Sequence, residues 1–96
     1  LMATDRPELV RKAVSELQAG LTRARDYAAG YRYLAQAHGK LGNIGEAELA
    51  TAEGHFHSGN YRDAKIFAAR AQQKLARGSP AWVRAQDIIN HKQPRR

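Results

Sequence analysis

Residues 42–64 read GNIGEAELATAEGHFHSGNYRDA, and the stretch carries one pattern twice. Gly42-Asn43 returns as Gly59-Asn60, and Ala47 returns as Ala64, each seventeen residues on. A glycine can take the left-handed conformation that closes a helix. The Asn after it can cap the next helix through its side chain. Glu46 and Asp63 lie three residues beyond the two Asn, where the reciprocal half of a capping box belongs. The two turns therefore bracket one helix over 44–58 and open another over 61–77.

The interval extends along the chain. Positions 13, 30, 47, 64 and 81 are Ala13, Gly30, Ala47, Ala64 and Ala81, and seven residues after each come Gly20, Ala37, Gly54, Ala71 and Ile88. Small side chains let helix axes approach closely, so this spacing predicts a stack in which these residues form the contacts. Seventeen residues is half the tetratricopeptide (TPR) period, one helix plus its turn.

Three further helices follow. Pro7 suits a first turn, and Leu9, Val10, Ala13, Val14, Leu17 and Leu21 continue at helical spacing over 7–24. After a turn at Arg25-Asp26 comes a helix over 28–41. Gly78-Ser79-Pro80 ends the fourth helix and opens a fifth over 80–90, with Ser79 as cap, Pro80 as first residue and Trp82 in the core. No stretch alternates with the period of a strand. The expected fold is all-α: about five antiparallel helices, joined by short turns as TPR-like hairpins in a right-handed superhelical stack. The 96 residues make a single domain of about two and a half repeats, with 1–6 and 91–96 frayed. Because the chain begins with Leu1, it reads as a segment of a longer protein.

Composition narrows the function. Apolar residues make up 43% of the chain, and no apolar run reaches the length of a membrane span. The absence of cysteine excludes disulfides and thiolate chemistry. Net charge is +7, and the excess falls from Arg62 onward, where only Asp63 and Asp87 are acidic. A nucleic-acid surface would interleave aromatics with such cations; here they do not, so a solvated helix face is expected and no nucleic-acid partner. His55 and His57 diverge on a helix and cannot share a metal. His38 and His55 occupy equivalent repeat positions and are expected to pack between helices. Ser15, Ser58 and Ser79 lack a nucleophile elbow. No catalytic, metal or cofactor site is expected.

Tyr31-x2-Leu34-Ala35-x2-His38 fits the TPR pattern W-x2-L-G-x2-Y with substitutions, and Ala47 follows at the expected distance. The match runs in two overlapping phases. The favoured phase pairs the second helix with the third and the fourth with the fifth, which puts Arg32, Gln36 and Lys40 on the concave side as a polar strip for a peptide or carboxylate. Glu53 and Phe56 fall on corresponding positions of the third helix, a departure from the all-cationic carboxylate clamp of chaperone-binding TPRs. The first helix, with its wide apolar face, is expected to dock on the rest of the parent or on a second copy as a homodimer.

Four segments together carry a narrower likeness: Tyr33-Leu34-Ala35-Gln36-Ala37-His38-Gly39-Lys40-Leu41-Gly42, Ala47-Glu48-Leu49-Ala50-Thr51-Ala52-Glu53, Gly59-Asn60-Tyr61-Arg62-Asp63-Ala64, and Gly78-Ser79-Pro80-Ala81-Trp82-Val83-Arg84-Ala85-Gln86-Asp87-Ile88. In this order they resemble the C-terminal TPR region of bacterial HExxH zinc metallopeptidases, family 48 of the metallopeptidases, which has periplasmic members. The resemblance implies a parent with an N-terminal zinc protease domain at the cell envelope. It implies a TPR tail that contacts that domain, its substrates and outer-membrane assembly partners. The HExxH motif is absent from these residues, so the implied role is non-catalytic and any zinc belongs to the parent. The alternative is a free-standing TPR adaptor.

Overall fold

The structure is a computed structural model and describes residues 6–23 and 28–92. The described residues form five helices: α1 (Pro7–Arg23), α2 (Ala28–Lys40), α3 (Ile44–His57), α4 (Tyr61–Gln72) and α5 (Pro80–Ile89). There is no strand among the described residues. The fold is all-α, a stack of helical hairpins. The turn expected at Arg25-Asp26 and most of the two frayed ends lie outside the described residues. His91 is an exception within the expected tail: its ring stacks on Tyr61 at 5.0 Å and meets Phe56 edge-on at 4.8 Å.

Glycine punctuation sets the turns. Gly42, Gly59 and Gly78 have φ of 80°, 87° and 81°, where a side chain would be strained. At the first two, the Asn N–H reaches back across the turn, Asn43 to the His38 carbonyl at 2.9 Å and Asn60 to the His55 carbonyl at 2.8 Å. That 6→1 bond is the closing bond of a Schellman motif. The Asn side chains make no capping bond, contrary to the sequence expectation. The cause is local: with ψ of 73° and 70°, neither Asn adopts the extended backbone that aims a cap at the first turn. Ser79 does, at ψ 161°, and its Oγ accepts from the Trp82 N–H at 3.2 Å. Ser79→Ala should therefore cost about 1 kcal/mol and Asn60→Ala well under that; chemical denaturation of the two variants distinguishes them, and equal losses would contradict this assignment.

The fourth helix stops five residues before the expected 77. Its last turn tightens, with Gln73 N–H on the Arg70 carbonyl at 3.2 Å and Lys74 N–H on that of Ala71 at 2.9 Å. The chain then crosses the start of α3 over Gly45, where an added Cβ would lie 3.0 Å from Leu75 Cδ2 and 3.2 Å from the Lys74 carbonyl carbon. The helix thus ends where the chain meets the start of α3.

α3 is the central rod and packs on α2, α4 and α5. It therefore contributes to two cores. Leu49 and Ala52 join Ala64, Ala68 and Ala71 of α4 and Ala81, Ala85 and Ile88 of α5. Six of these eight buried residues are alanines, so the rods meet across methyl groups. Ala50 joins Val10, Val14 and Leu21 of α1 and Tyr31, Leu34 and Ala37 of α2. Covered on opposite sides, α3 has little of the one-sided pattern of a surface helix. Of the five evenly spaced small residues, Gly30, Ala64 and Ala81 are buried, while Ala13 and Ala47 are half-buried. Trp82 is half-buried rather than central, because Ala81, Ala85 and Ile88 occupy the inward face of α5. The apolar face of α1 is largely covered: Val10, Val14 and Leu21 are buried, and Leu9 stays 40% exposed.

The layering corrects the expected phase. α3 touches α5 directly, whereas α2 and α4 make no comparable contact. In a curved two-layer stack the inner helices converge and the outer ones spread. α3 and α5 thus share one layer, Gln18 and Leu21 of α1 line the same groove as they do, and α2, expected on that side, contributes only Tyr31 and Leu34 to its lining.

Candidate functional site

Two grooves follow from this layering. The inner one, of about 670 Å³, runs between α1, α3 and α5 over a floor of Leu34 and Tyr31 from α2. On α3, Glu53, Phe56 and His57 project from one face at i, i+3 and i+4. On α5, Arg84, Asp87 and Ile88 do so at i, i+3 and i+4, and His91, two residues past the end of the helix, adds its ring. Gln18 and Leu21 complete it from α1. The outer groove, of about 500 Å³, lies along α2 and α3; Ala47, Ala50, Thr51 and Gly54 floor it and Arg32, Gln36 and Glu48 edge it.

The five residues expected to form one binding strip are therefore divided. Glu53 and Phe56 line the inner groove. Arg32 and Gln36 line the outer slot, and Lys40 lines neither. Sequence reasoning missed Asp87 and His91, whose helical spacing with Arg84 was the available signal.

Rings fill one end of the inner groove. Tyr31 stacks on His57 at 5.1 Å, and Phe56 stands edge-on to His57, Tyr61 and His91 at 5.4, 5.2 and 4.8 Å. Such geometries suit the quadrupole of each ring. His55, two residues from His57, faces the other way and stacks on Phe67 at 5.5 Å.

Charges mark the middle. Arg84 Nε donates to Glu53 Oε2 at 3.3 Å. Burial pushes the Glu53 carboxyl above its ordinary value, opposed by the charge and hydrogen bond of Arg84, while Glu46 adds to the rise. On the other flank of α3, Glu48 holds Arg70 at 3.0 Å and Lys74 at 2.8 Å. Three cations of the expected solvated face are thus tied to acids of α3.

His38, 6% exposed at the end of α2, packs between helices as expected, and its Nδ1 has no hydrogen-bond partner. Burial lowers its pKa below 6.5, Glu46 opposes this and Arg84 adds to it. The folded protein binds this proton less readily than the unfolded chain. Its contribution to stability is complete above about pH 6.5 and is lost as pH falls toward the folded value. Glu53 acts oppositely: its contribution is present below about pH 4.5 and lost as pH rises through the folded value. His38→Leu should flatten the fall in urea midpoint between about pH 7.5 and 5.5; an unchanged slope would assign the acid sensitivity elsewhere.

Among the described residues no three His, Asp or Glu side chains are grouped so as to hold a metal ion. No helix among them is long and apolar enough to cross a membrane. Searches of protein-family models, curated proteins and solved structures find no match to this chain.

Proposed function

We propose that this chain is a non-catalytic, TPR-like protein-interaction module whose inner groove takes an extended peptide. The observation that carries the reading is the open channel between α1, α3 and α5, with an apolar and aromatic floor beside a few placed polar groups. Ligand sites have that composition. Phe56 is the anchor expected to matter most, as buried aromatics dominate peptide and protein interfaces. The resemblance of residues 28–90 to family 48 metallopeptidases extends the proposal: the module serves a zinc protease of the cell envelope, contacting its catalytic domain, its substrates or assembly partners.

Two experiments test these levels separately. A randomised nonapeptide library passed over the immobilised chain should be enriched by the parent and not by Phe56→Ala; equal enrichment removes the groove from the proposal. The coding sequence upstream of Leu1 should contain a helix with HExxH. Its absence would favour the adaptor reading and leave the groove untouched.

A further inference from the structure

Carboxylates and cations are segregated on this protein. Net charge is +7, yet the groove is lined by two carboxylates, Glu53 on α3 and Asp87 on α5, against one guanidinium, Arg84. Arg84 is already engaged by Glu53. Asp87 is exposed and makes no ion pair or side-chain hydrogen bond among the described residues. Elsewhere on α3 the balance is reversed, with two cations on Glu48. The groove thus presents one carboxylate in excess, Asp87, in a basic molecule. Beside the acids stand the rings of Phe56, His57 and His91, whose apolar surfaces accept an aliphatic stem. A Lys or Arg side chain has both parts, an apolar stem and a cationic head.

We infer that the inner groove selects extended peptide segments carrying a lysine or arginine next to an apolar residue. The cationic head sits between Asp87 and the open side of Glu53, and the apolar neighbour lies over Phe56 and Ile88. This rests on the peptide-groove reading and adds its charge preference. Free anionic segments are repelled by the same carboxylates, which sets this site apart from a carboxylate clamp.

The test is fluorescence anisotropy of the full chain with three labelled nonapeptide pools, each with a fixed central leucine followed by lysine, glutamine or glutamate. At low salt the lysine pool should bind roughly 10-fold more tightly than the glutamate pool, with the gap narrowing as salt screens it. Asp87→Asn, a surface change, should cut the lysine preference several-fold, and Asp87→Lys should abolish or reverse it. If no pool binds, the peptide-groove reading fails and the inference with it. If all three bind alike, the groove stands and the charge preference is overturned. An unaltered preference in both Asp87 variants overturns the assignment of that carboxylate. Sedimentation in the same buffer covers the remaining occupant: a dimer dissolved by Asp87→Lys would give the groove to a second copy instead.

Discussion

Leu49→Ala should destabilise the protein by about 3 kcal/mol, more than any other single truncation in the core. Leu49 is 1% exposed and is the largest fully buried side chain among the described residues. It occupies the center of α3 and meets the alanine-rich faces of α4 and α5. Short methyl side chains cannot reorient to refill the space, so the void would persist. A loss of that size lowers the melting temperature of a domain this small by roughly 10–25 °C. A drop of only a degree or two would mean that α3 is not the central rod.

The opposite change tests the alanine seam. Ala64 is fully buried, whereas Ala47, its repeat equivalent, is half-buried on the floor of the outer slot. Ala64→Leu should cost roughly 1–3 kcal/mol by forcing α3 and α4 apart. Ala47→Leu should cost well under 1 kcal/mol, because the slot has room for the added atoms. Thermal unfolding of the two variants separates the accounts. Equal destabilisation would support a strict repeat in which every small position is a contact; an unaffected Ala64→Leu would remove the seam altogether.

Helix number, order and most boundaries were legible because the turns after α2 and α3 and the start of α5 are set by local residues. Gly42, Gly59, Gly78 and Pro80 act through their own backbones, and their effect needs no tertiary partner. The end of α4 was not legible. Leu75 has helical spacing with Ala68 and Ala71, yet it lies past the end of the helix, packed over Gly45 of α3. Gly54 belongs to the evenly spaced series, and a Cβ there would meet Tyr31 Cβ at 3.2 Å; Gly20, in the same series, has nothing within 4 Å. Periodicity finds small positions without telling which of them face a neighbour.

The site was half legible for the same reason. Glu53 and Phe56 lie in the inner groove. Arg32, Gln36 and Lys40 share a helix face, but spacing along one helix says nothing about the layer to which that face belongs. The layer is decided by the contact of α3 with α5, a property of the stack. Spacing also did not show the pairing of the cations: Arg70, Lys74 and Arg84 stay about half-exposed, as a solvated face implies, while binding acids of α3.

The central claim is that ligands enter between the odd-numbered helices. Amide and ring chemical shifts followed by NMR during titration with the lysine-containing pool address it most directly. The account predicts that Phe56, His57, Asp87 and His91 move while Arg32, Gln36 and Thr51 stay in place. Shifts confined to the latter three would put binding in the outer slot and contradict it.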